Sequence, residues 1–466
     1  MIFRGGSLSN PLLARFDERL RTHPDLPLVA SPGRTQSTRE IAAGATAWAA
    51  DFAAHGLEAG EVVALSARGA TFLAAWLGAL ARGLAPVLIE AATPLEEVRR
   101  IAAALGARAI ASSAAALSAL EAHGRLELLP PEGAHKLHGV AAIKLTSGST
   151  GLPRGITVSS EALLADDAQL TAAMDLGDTH RFLAAIPLSH SYGLASLALP
   201  ALTRDVTLIV AEDGGPFEAL LAASRLEAEF LPTVPAWLGA MARLGGAPGW
   251  PRSLQRVISA GAPLTPEVAS GFRRRFGVAA HVFYGSSETG GIAYDTSGDA
   301  AERGTVGTPI PGVSVEIDAE TARVAVRSPA VAGGYWPGPD PRLAAGRFLT
   351  SDLGQWDAGE VRLLGRADDW ILVRGKNVNP REVEDILGAF PGVDEAAVFG
   401  ARVDDGPEPI VRAVVASRDA LKVEELLSWC RARLAEHKVP RRIVVVPELP
   451  RTQRGKLDRS ALPSLQ

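Results

Sequence analysis

The 466-residue sequence predicts an α/β protein: a large N-terminal domain of parallel-sheet α/β layers carrying a small β-rich subdomain, then a compact α+β C-terminal domain. Three observations predict it. Helical and strand signals alternate through the first ninety residues and on to about Gly290, and such alternation folds into a parallel sheet covered by helices. Residues 305–365 change to short β-rich runs separated by Gly and Pro. Beyond Gly365 the pattern restarts with its own apolar faces, over a length of roughly 100 residues that can fold independently. The predicted domains are 1–365 and 366–466, in keeping with a chain longer than the roughly 100–200 residues of a usual single domain.

The first elements are a helix over Ala42–Ala54, a strand over Val62–Ser66, a helix over Thr71–Arg82 and a strand over Ala85–Glu90. Thr93, Pro94 and Glu96 offer the next helix an N-cap, a first-turn proline and a capping-box acid. An apolar strand at Val140–Ile143 leads into a loop rich in Ser, Thr and Gly, and Thr265 with Pro266 opens a helix. Short strands follow at Val313–Ile317 and Arg323–Val326. In the last domain Asn379 caps a helix with Pro380 in its first turn and Glu382 at the capping-box position, and Val383, Ile386, Leu387 and Phe390 form its apolar stripe. Strands at Ala396–Phe399, Ile410–Ala416 and Arg442–Val446 flank a second helix from Val423 to about Glu436.

Composition narrows the function classes. A net charge of −5 with both signs dispersed gives no basic field for nucleic acid. One cysteine, Cys430, excludes an internal disulfide and suits a reducing compartment. It lies on an apolar helical face with Leu426, Leu427 and Leu434, which reads as a buried filler rather than a nucleophile. No secretory signal follows Arg4, so a cytoplasmic protein is expected. The uncharged run Phe182–Thr203 has the length of a membrane span, but Pro187, His190 and Pro200 favour a strand and loop inside a globular core.

The residues with most chemical content are Thr146, Ser147, Gly148, Ser149, Thr150, Gly151, Leu152, Pro153, Arg154 and Gly155. Backbone N–H groups and hydroxyls in such a loop can wrap polyphosphate, with Arg154 adding a charge-assisted contact. Walker A chemistry is excluded because Pro153 and Gly155 flank the basic residue, and a Gly-x-Ser-x-Gly hydrolase elbow because position 147, two residues before Ser149, is serine. By composition alone the segment also fits a Ser/Gly linker.

Thr146–Gly155 resembles the phosphate loop of the adenylate-forming superfamily of acyl-CoA synthetases, adenylation domains and luciferases, with Arg154 where that family has lysine. Further segments resemble the family's motifs in order over nearly the whole chain. Pro187–Gly193 is similar to the acyl-pocket segment, which places His190 near the substrate carboxylate. Gly261, Ala262 and Pro263 match the turn bordering adenine. Tyr284, Gly285, Ser286, Ser287 and Glu288 match the Tyr-Gly-x-Thr-Glu motif, with Ser287 keeping the hydroxyl; the ring can stack on adenine and Glu288 is a hard oxygen ligand for Mg²⁺. Asp352 matches the ribose-binding carboxylate, with Ser351 replacing glycine, Arg366 a ribose and phosphate contact, and Asp368 the hinge. Gly375 lies in the segment that resembles the thiol-side loop, where Leu372 replaces lysine, and Lys456 matches the lysine that drives adenylation.

The resemblance implies ATP, Mg²⁺ and a carboxylic acid as reactants, an acyl-adenylate intermediate, and coenzyme A as acyl acceptor. The alternative acceptor, favoured by Leu372 and by the run Gly290-Gly291-Ile292-Ala293, is the phosphopantetheine thiol of an acyl carrier protein, expected as a separate molecule because the residues after Arg459 carry no carrier serine motif. An amino-acid substrate lacks support, since Ser189 and His190 bring no aspartate for an ammonium group. The replacements Arg154, Ser351 and Leu372 motivate a weakly active regulatory homologue as a second alternative.

Overall fold

A computed structural model describes residues 10–113, 124–130, 136–146, 154–211, 216–243, 249–344, 346–373, 376–401, 410–451 and 457–465. The chain divides into two compact units. One comprises Met1–Glu316, Ala325–Leu349 and Asp357–Val361; the other comprises Ile317–Val324, Thr350–Trp356 and Arg362–Gln466.

The first unit contains two sheets. The larger has nine strands in the order Thr308–Pro309, Gly290–Tyr294, Ala280–Ser286, Arg256–Ser259, Phe230–Thr233, Arg181–Leu183, Thr207–Ile209, Pro27–Ser31 and Arg34–Ser37. Its central strands pair in parallel and its edges antiparallel. The seven-stranded sheet runs Gly334–Trp336, Arg154–Val158, Ala142–Thr146, Ala85–Leu88, Val62–Ser66, Ala107–Ser112 and Arg125–Leu128. It too is parallel in the middle and antiparallel at both ends. The alternating pattern therefore holds for the interior strands, while hairpins supply the edges.

Burial explains the strand sequences. Every residue of Val62–Ser66 is buried, and a parallel strand covered on both faces needs a continuous apolar run rather than alternation. The helix Gly69–Ala81 is buried over twelve of its residues, so it has no polar face to announce it as amphipathic. It packs on the helix Thr38–Ala54, whose start is set by a capping box between Ser37 and Glu40. Gly78 permits the approach: a Cβ there would stand 2.7 Å from Trp48 Cβ and 2.8 Å from the Ala45 carbonyl oxygen.

Some local expectations change. The helix at Leu95–Ala104 is preceded by Pro94 at the N-cap with no side-chain cap from Thr93, and Glu96 turns to Arg99 at 2.5 Å. An ion pair along the helix face has taken the carboxylate that the capping box needed. Asn379 does cap Pro380–Gly388, accepting from Arg381 N, but Glu382 pairs with Lys438 Nζ at 2.7 Å instead of reaching back. The second C-terminal helix stops at Arg431, short of Glu436. The uncharged run predicted as strand and loop forms the strand Arg181–Leu183, a turn, and consecutive helical segments from Ser191 to Thr203. Among the described residues no helix is long and apolar enough to cross a membrane.

The strands Ser314–Ile317, Arg323–Arg327, Leu343–Ala344, Arg347–Asp357 and Glu360–Arg366 make a five-stranded sheet. In the second unit Ile410–Ala416 pairs antiparallel with Glu395–Ala401 and in parallel with Arg442–Val446. Val383, Leu387, Leu426 and Cys430 pack with Val398, Val411 and Ile443 in its core. Burial pushes the Cys430 thiol up to about 11, which leaves it protonated and inert at neutral pH.

Candidate active site

The phosphate-loop segment hangs between two paired strands. Ala142–Thr146 and Arg154–Val158 run antiparallel with Thr146 opposite Arg154, and Thr146 Oγ1 donates to the Arg154 carbonyl at 3.3 Å. Ser147, Gly148, Ser149, Thr150 and Gly151 lie outside the described residues. Both ends of the loop are thus fixed by sheet hydrogen bonding.

The Arg154 guanidinium stacks 4.3 Å from the Tyr335 ring centroid. Its Nη1 is 3.3 Å from Asp340 Oδ2 and its Nη2 donates to the Gly338 carbonyl at 3.2 Å. A planar guanidinium can lie flat on a ring while its fork donates around its edge, a geometry the compact lysine ammonium does not reproduce, so the replacement is not a neutral one. Hydrogen bonds from Arg342, joined by Arg154, hold the Asp340 carboxyl down at about 2.

A carboxyl depressed from its ordinary 3.8 stabilises the fold fully above that value and loses the contribution as pH falls through the folded value. Asp340→Asn is therefore expected to lower the urea midpoint at about pH 6, and its gap from the unsubstituted protein should close between about pH 4 and pH 2. A gap constant over that range would show that the arginines do not act on Asp340.

The remaining motifs of this unit sit at the carboxyl ends of the adjacent parallel strands Arg256–Ser259 and Ala280–Ser286, where ligands bind in open α/β sheets. Gly261, Ala262 and Pro263 form an exposed turn, with Gly261 at φ 82, a conformation that L side chains avoid. The turn ends at Thr265, whose hydroxyl caps the helix Pro266–Phe276 by accepting from Val268 N. Tyr284 is only 8% exposed. Glu288 lies at the tip of the hairpin joining Ala280–Ser286 to Gly290–Tyr294, and Gly285 allows its close crossing, since a Cβ there would stand 2.6 Å from the Gly290 carbonyl oxygen.

Two contacts bring the acyl-pocket segment to this hairpin. Ser191 Oγ lies 2.7 Å from Ser287 Oγ, and the buried Tyr192 packs on Phe283 with ring centroids 5.6 Å apart. The Tyr192 hydroxyl donates to the Ile258 carbonyl at 3.1 Å, tying the segment to the strand that leads to Gly261. His190 caps the helical turn Ser191–Gly193, its Nδ1 accepting from Tyr192 N at 3.4 Å. Thr146, Arg154, His190, Ser287 and Glu288 thus lie in one compact unit.

Glu288 Oε1 accepts from the Tyr335 hydroxyl at 2.7 Å, while the Ala332 amide donates to its backbone carbonyl. Among the described residues no group of three or more His, Cys, Asp or Glu gathers as a metal cage. Mg²⁺ often binds through one or two carboxylates plus substrate phosphates, and the single partly exposed carboxylate of Glu288 fits that donor set.

In the second unit Asp352 and Arg366 stand on neighbouring strands with Arg366 Nη1 3.2 Å from Asp352 Oδ1. Ser351, in place of glycine, is buried, and Asp352 N donates to Thr350 Oγ1 at 3.0 Å. Asp368 falls in the helical turn Ala367–Asp369. Gly375 and Lys456 lie outside the described residues.

Tyr335 and Asp340 are additions that sequence reasoning did not supply. Gly334-Tyr335-Trp336 reads as one more short β run, and only its pairing beside Arg154–Val158 brings the phenol to Glu288.

The paired strands around the loop, and the two turns at the carboxyl ends of the neighbouring sheet, define a nucleotide-binding α/β protein. The chain belongs to the AMP-binding enzyme family, whose model matches residues 16–336, with the AMP-binding enzyme C-terminal domain matching 382–456. It is 31% identical over 404 residues to a feruloyl-CoA synthase of Amycolatopsis sp, covering 81% of this chain and 79% of that one. A 2-succinylbenzoate–CoA ligase of Geobacillus kaustophilus is 28% identical over 479 residues and 95% of each chain. Among solved structures, ATP-bound MatB from Rhodopseudomonas palustris superimposes with a TM-score of 0.83 at 26% identity, over 98% of this chain and 99% of that one.

Proposed function

We propose that this protein joins a carboxylic acid to AMP at the expense of ATP, releasing pyrophosphate, and passes the acyl group from the adenylate to the thiol of coenzyme A. The observation that carries the reading is the convergence of Arg154, Tyr335 and Glu288 beside the ends of the phosphate loop, with Ser287 bonded to the acyl-pocket segment. The similarity to CoA ligases over 81% and 95% of the chain supports the acceptor.

Attack of a carboxylate on the α-phosphate brings two anions together, so positioning and charge neutralisation must supply the catalysis. Mg²⁺, held with ATP by Glu288, would neutralise phosphate charge. The loop from Thr146 to Gly151 wraps the phosphates, and Arg154 contributes positive charge at their edge. Gly261, Ala262, Pro263, Tyr284 and Gly285 border the adenine, and Asp352 with Arg366 holds the ribose. His190 lies at the acid's entry, and Lys456 stabilises the bridging oxygens during adenylation. The 366–466 domain then turns about Asp368, withdrawing Lys456 and presenting Gly375 for thiol attack. No protein nucleophile is needed.

Leu372, at a position where the family has lysine, favours a separate acyl carrier protein as second reading. A panel of acids with hydroxylamine trapping tests adenylation, and offering CoA or phosphopantetheinylated carrier separates the acceptors. Absence of acid-dependent pyrophosphate exchange with every acid would sink the reading in favour of a nucleotide-binding regulator. Glu288→Gln should keep the fold and raise the Mg²⁺ needed for half-maximal exchange by about tenfold or more, because an amide oxygen binds a hard cation poorly. Unchanged activity at limiting Mg²⁺ would remove Glu288 from the site.

A further inference from the structure

The geometry points to Tyr335 as a positioning residue that keeps the phosphate-loop cation and the metal-ligand carboxylate apart while orienting the carboxylate; this rests on the proposed nucleotide site. Its phenol touches both functional groups at once. The hydroxyl donates to Glu288 Oε1 at 2.7 Å and the ring lies beneath the Arg154 guanidinium at 4.3 Å.

An arginine and a glutamate on one rim, both partly exposed, attract each other. A direct bidentate pair would be their strongest local contact and would cancel the two charges that phosphate and cation require. The half-buried ring of Tyr335 stands in the way. Arg154 is turned instead to Asp340 Oδ2 and the Gly338 carbonyl, and Arg342 anchors Asp340 on its other side. Glu288 receives its side-chain hydrogen bond from a neutral donor, and the buried Lys144 ammonium acts on it only through its charge. A phenol O–H orients a carboxylate without neutralising it, so its negative charge remains available to a hard cation.

The strand register makes the arrangement rigid. Gly334–Trp336 pairs antiparallel with Arg154–Val158, with Tyr335 opposite Ile156 and Trp336 opposite Gly155. Trp336 Nε1 donates to the Leu105 carbonyl at 3.1 Å, fixing the strand from its far side. Spacer and cation are therefore carried by neighbouring strands of one sheet, while the carboxylate comes from the hairpin of the other.

Two substitutions separate the roles. Tyr335→Phe keeps the ring and removes the hydroxyl; Tyr335→Leu removes both. ATP binding is measured by calorimetry without acid substrate, once in EDTA and once in Mg²⁺, with thermal unfolding as the check on folding. Tyr335→Phe should leave the dissociation constant in EDTA within about twofold and cut the tightening produced by Mg²⁺ by about tenfold, the scale of one hydrogen bond to a charged group. Tyr335→Leu should lose that increment and also weaken metal-free binding by about tenfold, because Arg154 can then pair with Glu288. Metal-free binding by Tyr335→Leu should recover in the Tyr335→Leu/Glu288→Gln double variant, in which Arg154 keeps its contact with Asp340 but has no carboxylate at position 288 to turn to. If Tyr335→Phe keeps its full Mg²⁺ increment, or the double variant shows no recovery, the spacer role is wrong while the nucleotide site stands. If the unsubstituted protein binds no ATP, both fall together.

Discussion

Lys456→Ala is expected to lower acyl-adenylate formation by about 10²–10³-fold, the scale for removing one preorganised transition-state donor. Thiol transfer from a pre-formed acyl-adenylate should survive. The reason lies in the proposed two-step use of one site, in which the lysine serves only the orientation that makes the adenylate. Gly375→Trp is expected to do the reverse: if the proposed thiol-side role holds, an indole in place of a hydrogen blocks the thiol and spares adenylation. Single-turnover assays of each half-reaction in both variants decide the matter. Equal impairment of the two steps by each substitution would end the domain-alternation reading.

Asp166→Leu is expected to destabilise the first unit by about 3–5 kcal/mol, the cost of leaving one member of a buried charge pair alone. Lys144 is 3% exposed and Asp166 1% exposed, and they lie at the start of the loop-bearing hairpin and in the helix Ser160–Ala173. Burial pushes the Lys144 ammonium down and the Asp166 carboxyl up, and each is partly restored by the other's charge. Asp166 has a second duty. Its Oδ1 accepts from Gly291 N at 2.9 Å, and a Cβ on Gly290 would collide with its carboxylate, so it also shapes the turn that follows Glu288. Adding Lys144→Met should recover most of the loss but not the Gly291 hydrogen bond, leaving a residue of about 1 kcal/mol. Denaturant midpoints of the two single variants and the double variant test this. Additive losses would mean that the two charges do not interact.

The proposed roles of Lys456 and Gly375 follow from local motifs, whereas the burial of Lys144 and Asp166 could not be read from local sequence. Lys144 lies two residues before the loop that begins at Thr146, yet nothing in Ala141–Thr146 says that it is buried, and Asp166 lies in a helix with acidic neighbours that resembles a solvated face. The Phe182–Thr203 run shows the same limit. Absence of charge announced burial there, but helix against loop was settled by packing, because a segment apolar all round carries no period to read.

What the sequence determined by itself is what a few neighbouring residues can encode. The strands Val62–Ser66, Ile410–Ala416 and Arg442–Val446, and the caps at Thr265 and Asn379, follow from β-rich apolar runs and from side chains that bond amides two or three residues away. Family membership likewise resides in short ordered motifs. Tertiary structure alone decided which groups meet: Ser191 with Ser287 across 96 positions, Glu288 with Tyr335 across 47, and Arg154 with Asp340 across 186. A hydrogen bond or a stacked cation is specified by distances of a few ångströms, and over such separations those distances are set by strand order and register, which no local pattern contains.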